Sequence, residues 1–147
     1  MAESPSFAPI EVYLTVSGGL EAIAFYEKAF GATPAFQQMA EDGKRLLHAT
    51  LSVFGAQIML SDHFPEHGND VAAPPMLGGT TVTVHVNLNS PAEVDAAMAR
   101  AARAGATVTM PASDTFWDMR YGRLKDPFGH SWSLGAPLPS KTEGRFE

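Results

Sequence analysis

The run Arg120-Tyr121-Gly122-Arg123-Leu124-Lys125-Asp126-Pro127-Phe128-Gly129-His130-Ser131-Trp132-Ser133-Leu134 reads as a strand, a tight turn and a second strand. Proline presets the turn backbone and glycine accepts the conformations that other residues avoid, so Asp-Pro-Phe-Gly closes a hairpin. A cruder copy of this hairpin lies at residues 46–61, and comparing the two reveals a repeat. Gly31 and Gly105 are 74 residues apart, as are Thr33 and Thr107, Phe54-Gly55 and Phe128-Gly129, and Leu60 and Leu134. A single offset that fits helix ends, turns and final strands predicts two units, each needing the other to bury its faces.

Working outward, Ile10 to Val16 alternates aliphatic with polar or aromatic side chains, which is the period of a strand. After Ser17-Gly18-Gly19 the period becomes helical from Leu20 to Phe30, with Ala22, Ile23, Phe25, Tyr26 and Ala29 forming a broad apolar face and Gly31 ending the helix. Strands follow at 35–39 and 45–53, joined through Asp42-Gly43, and at 57–61. Residues 63–79, rich in proline and glycine, read as a linker or lid. The pattern then restarts: a strand over 82–88, a helix opened by the capping box Ser90-Pro91-Ala92-Glu93, and strands at about 106–110, 116–125 and 130–135. The expected organisation is a first βαβββ module at 9–62, an inter-module loop at 63–79, a second module at 80–136 and a loose tail at 137–147, an α+β fold.

The chain has 147 residues and no cysteine, which removes disulfides, zinc-thiolate sites and a thiol nucleophile. A net charge of −6 argues against a nucleic-acid partner and suits a cationic or neutral small ligand. No apolar run is long enough to cross a bilayer, and the first residues have neither a basic nor an apolar region, so no membrane partner and a cytoplasmic location are expected.

If the aliphatic sets pack on the helices, the opposite strand faces carry Glu11, Tyr13 and Thr15; Leu46, His48, Thr50 and Ser52; Gln57, Met59 and Ser61; and Thr83, His85 and Asn87. The last hairpin adds Trp117, Tyr121, Arg123 and Ser133. Such a concave polar and aromatic surface suits a small organic ligand. Each candidate has a plain structural reading beside it. His48 and His85 are either polar face residues or a ligand contact and general base. Trp117 and Tyr121 are either core or interface aromatics or a stacking platform. His63 and His67 read as solvated loop residues and His130 as a packing residue at a strand start. Arg120, Arg123 and Lys125 read as the charges of a guarded edge strand, with Arg123 also able to bind an anionic group.

The repeat, the Phe25-Tyr26 pair, Phe30-Gly31-Ala32 and Asp126-Pro127-Phe128-Gly129-His130 together resemble the vicinal-oxygen-chelate superfamily of glyoxalase, bleomycin-resistance and extradiol dioxygenase proteins. The run from Phe116-Trp117 to Leu134 is similar to its PhnB-like, glyoxalase-related branch. The resemblance implies two βαβββ modules whose curved sheets form a cleft, often completed in a homodimer. It also implies metal-ligand corners in the metal-dependent members. Carried onto this sequence, these fall near Glu11, on Met59, on Thr83 or His85, and on Ser133. The usual last-corner Glu is replaced by Ser133, and Glu11 and His85 supply two ligands where about three are needed. The expectation is therefore a ligand-binding protein with no cofactor, using Tyr13, His48, Met59, His85, Trp117, Tyr121, Arg123 and Ser133. The alternative is a metal-dependent lyase, isomerase or dioxygenase with a divalent ion on Glu11 and His85.

Overall fold

A computed structural model of the chain describes residues 8–68 and 70–139. Its elements run β1 (Val12–Val16), α1 (Gly19–Phe30), β2 (Thr33–Met39), β3 (Leu46–Val53), β4 (Ala56–Asp62), a 3-10 turn (Pro65–His67), α2 (Pro74–Leu77), β5 (Thr83–Asn87), α3 (Pro91–Ala104), β6 (Thr107–Asp114), β7 (Met119–Lys125) and β8 (Ser131–Pro137). Two four-stranded sheets result, ordered β1-β4-β3-β2 and β5-β8-β7-β6. In each, the first strand pairs parallel with the last and the remaining pairs are antiparallel. This is the α+β architecture of two similar modules that the internal repeat predicts.

One hydrophobic core serves both modules. Leu14, Ala49, Leu51, Ile58 and Leu60 from the first sheet join Val86, Leu124, Trp132 and Leu134 from the second, against α1 and α3. Neither helix could bury its apolar face on its own sheet alone, and the aromatic residues of α1 cross to the other module. Tyr26 and Phe30 pack on Trp132, with ring centroids 5.6 and 4.7 Å away. The Arg100 guanidinium of α3 donates to the Lys28 carbonyl at 2.9 Å, occupying an acceptor that the end of α1 leaves unpaired. A second polar tie runs from His130 Nε2, which donates to the Thr15 carbonyl on β1 at 2.9 Å.

Two buried carboxylates organise the modules internally. Asp62 accepts from the Gly18, Gly19 and Leu46 amides, fixing the start of α1 to the ends of β3 and β4. Asp126 accepts from the Phe128 and His130 amides on one oxygen, and from Tyr26 Oη at 2.5 Å and Trp132 Nε1 at 2.9 Å on the other. The Asp-Pro-Phe-Gly turn is thus also the point where α1 is fastened to the second sheet.

Several sequence expectations change. Leu46 is fully buried rather than on the polar face, because the β2–β3 register slips by one residue between Gln38 and Met39. An extra residue in one strand flips the alternation beyond it. The strand expected from 116 begins at Met119: Thr115 closes a turn by hydrogen-bonding both the amide and the carbonyl of Met119, and Trp117 sits in that turn. β7 is an inner strand between β6 and β8, so its positive charges do not guard an edge. His63 is buried against the Met76 sulfur of α2 instead of being solvated. β8 continues to Pro137, while residues 140–147 of the expected tail lie outside the described residues.

Candidate functional site

The register of the sheets decides which side chains meet. Leu14 pairs with Leu60 on β4, and Val86 pairs with Leu134 on β8. Leu60 and Leu134 are 74 residues apart but Leu14 and Val86 only 72, so the second module is two residues longer between its first and last strands, and α3 has 14 residues where α1 has 12. Tyr13 opposite Met59 is therefore equivalent to His85 opposite Ser133. Glu11, expected near the first corner, lies before β1 and corresponds to Thr83. Its carboxylate accepts from the Gln57 side-chain amide at 2.9 Å.

On the face of the first sheet turned away from the helices, Tyr13 Oη and His48 Nδ1 share a hydrogen bond of 2.8 Å, and the Phe36 ring lies 6.0 Å from the imidazole. His48 and Met59 are half-buried and Tyr13 is 48% exposed. Alternation along β2 through Gln38 would have pointed to Phe36, which the sequence reading passed over.

The corresponding face of the second sheet is more elaborate. His85 is exposed, and its imidazole is held at both nitrogens, Nδ1 by Ser133 Oγ at 2.8 Å and Nε2 by Asn87 Oδ1 at 3.0 Å. With the amide oxygen of Asn87 as acceptor, the ring proton sits on Nε2 and Nδ1 accepts from the Ser133 hydroxyl. Ser133 is itself only 2% exposed, so its hydroxyl orients the ring and is not presented to solvent as a nucleophile. The imidazole stacks on Tyr121 with centroids 5.9 Å apart and planes 19° off parallel. Trp117 meets the same tyrosine edge-on at 6.1 Å. Gly135 leaves room for this stack, since a Cβ there would come within 3.1 Å of the His85 ring. Next along the strands, Arg123 Nη2 donates to Thr83 Oγ1 at 2.6 Å and approaches Ser131 Oγ at 3.4 Å. Ser131 was not among the sequence candidates, although it stands two residues before Ser133 and so on the same face.

A groove of about 500 Å³ runs along the free edge of β5 and is lined by Glu11, Phe54, Gln57, His85, Asn87 and Trp132 among others. It contains both members of the alternative metal pair. Among the described residues, no group of three or more His, Asp or Glu side chains could share an ion. The equivalent corners offer a thioether at Met59 and a hydroxyl at Ser133, and hard divalent ions prefer carboxylates and imidazoles. The donor set does not fit the metal site of the metal-dependent relatives.

A sequence model of the Glyoxalase/Bleomycin resistance protein/Dioxygenase superfamily matches residues 10–134. The chain belongs to that superfamily. An uncharacterised protein of Mycobacterium tuberculosis strain H37Rv is 43% identical over 135 residues, spanning 91% of this chain and 75% of that protein. One from Mycobacterium bovis has the same identity and is covered to 84%. Among solved structures, the PhnB protein of Bacillus cereus superposes with a TM-score of 0.68 at 22% identity, over 88% of this chain and 99% of that one. TioX from Micromonospora sp. ML1 gives 0.65 at 24% identity, over 92% and 100%. A glyoxalase/bleomycin resistance protein/dioxygenase family enzyme of Burkholderia phytofirmans PsJN gives 0.66 at 18% identity, over 87% and 97%, and this likeness establishes the glyoxalase/bleomycin-resistance fold.

Proposed function

We propose that this superfamily member binds a small organic ligand on the polar sheet faces, in a cleft completed by a second copy of the chain. The observation that carries the reading is the row His85–Tyr121–Trp117: two stacked rings on an open sheet face, with Trp117 of the preceding turn edge-on to Tyr121, beside hydroxyls and an arginine. Aromatic rings left 51% exposed, as Trp117 is, lose apolar burial unless something covers them. Tyr13, His48 and Met59 line the other wall, and Arg123 and Ser133 complete the first. The dimer is supported by the other large apolar groups on the open faces, Phe36 at 52% and Met110 at 43% exposure.

The competing reading is a metal-dependent lyase, isomerase or dioxygenase, and Glu11 and His85 lining one groove is the observation in its favour. The test follows the thermal midpoint of the purified protein against planar aromatic compounds and against Ni²⁺, Zn²⁺, Mn²⁺ and Fe²⁺. Saturable stabilisation by an aromatic compound is expected, with affinity about tenfold weaker or more in Trp117→Ala or Tyr121→Ala as the stacking contact is lost. Stoichiometric metal that disappears in His85→Ala would overturn the proposal.

A further inference from the structure

Four arginines of the described chain make side-chain hydrogen bonds, each to distinct partners. Arg45 and Arg120 are each bonded to two carboxylates, and Arg100 to helix carbonyls. Arg123 differs. Its Nη2 is held by the hydroxyls of Thr83 and Ser131, which also bond each other at 3.0 Å, and among the described residues no carboxylate lies within ion-pair distance of it. Two neutral acceptors fix the guanidinium in place without neutralising it. They also engage one of its three nitrogens, leaving donors of the planar fork for a further partner. The net charge of −6 does not extend here: strands β5, β7 and β8 contain neither Asp nor Glu.

Spacing links this cation to the rings. Tyr121 stands two residues from Arg123 on β7, and His85 two residues from Thr83 on β5, all on one face. Two residues of strand span about 7 Å, so the guanidinium lies about that far along the strands from the His85–Tyr121 stack. We propose that the ligand of this face is a planar organic carboxylate, its anionic group on the Arg123 fork and its ring against the His85–Tyr121 stack. The assignment rests on the binding reading above and adds the charge and chemical class of the ligand. A carboxylate matches the fork in geometry and needs one positive charge, whereas a phosphate monoester carries up to two negative charges.

Isothermal titration calorimetry of the full chain with 2-naphthoate, 2-naphthamide and 2-naphthyl phosphate tests it. The acid should bind about tenfold or more tightly than the amide, which has the same shape and no charge. Arg123→Met should remove that advantage, bringing the acid and the amide to within about twofold of each other. Arg123→Lys, which keeps the charge and loses the fork, should fall between them, and it carries the test if the methionine variant does not fold. Equal binding of acid and amide, or an acid-to-amide ratio unchanged in both variants, overturns the anion site and leaves the aromatic face standing. Tighter binding of the phosphate than of the acid overturns the carboxylate assignment. Binding of none of the three to the unmodified protein overturns this proposal together with the reading it rests on.

Discussion

At the scale of single residues, the buried knot at Asp126 has the largest consequences. One carboxylate accepts four hydrogen bonds, two from amides of its own turn and two from Tyr26 and Trp132. Removing it leaves the buried Tyr26 and Trp132 donors without an acceptor and releases two half-buried amides, so Asp126→Ala should cost about 3 kcal/mol or more in urea unfolding. Tyr26 makes the same knot sensitive to alkali. Burial, and then the adjacent Asp126 carboxylate, push its hydroxyl well above the usual tyrosine value. In the unfolded chain the phenol ionises near pH 10, while in the folded chain it keeps its proton to higher pH. Above pH 10 the unfolded state therefore binds fewer protons than the native one, and stability falls as pH rises. Below pH 10 this contribution is fully present. Unfolding free energies measured from pH 8 to 11 should decline at the upper end, and Tyr26→Phe should remove that part of the decline while lowering stability at pH 8 by about 1 kcal/mol.

Among the elements, the two helices begin in different ways, and two substitutions separate them. α3 starts on Ser90, whose hydroxyl accepts from the Glu93 amide while the Glu93 carboxylate accepts from the Asn89 amide and the Ser90 hydroxyl. Ser90→Ala should cost about 1 kcal/mol, the ordinary loss of an exposed cap. α1 has no side-chain cap of its own and borrows Asp62 from the end of β4. Gly19 permits that approach: a Cβ there would lie 2.6 Å from Leu46 Cβ and 2.8 Å from the Asp62 carboxylate. Gly19→Ala places a better helix former in the first turn and should nonetheless destabilise by about 1–3 kcal/mol, because both neighbours are buried and cannot retreat. Thermal or urea unfolding of the pair would show the sign, since helix propensity alone predicts stabilisation at residue 19.

For the whole molecule, the helical layer and one face of each sheet consume the core, and the other faces are left with Tyr13, Phe36 and Met110, and the turn before β7 with Trp117, at 43–52% exposure. The proposed pairing of copies would cover them. Light scattering at micromolar concentration should give twice the chain mass, and a monomeric mass across that range would refute the pairing. Replacing Phe36 and Met110 together by Ser should shift the population toward monomer without loss of the folded far-ultraviolet spectrum, because neither side chain belongs to the buried core.

Sequence alone determined the βαβββ repeat, the helix caps at Gly31 and Gly105, and most of the residues on the polar faces, because strand and helix periods and turn chemistry are local. It missed Leu46, where a bulge reverses the alternation, and the turn holding Trp117, where the Thr115 hydroxyl ends the strand early. Tertiary structure alone decided that Tyr13, not Glu11, is the counterpart of His85, since a two-residue difference in helix length between the modules becomes visible only once strands pair in register. It also decided that Asp126 is a buried junction rather than a turn residue, and that Arg123 is held by hydroxyls instead of a carboxylate. Those properties depend on side chains brought together from positions 40 to 100 residues apart, and no local spacing encodes such a meeting.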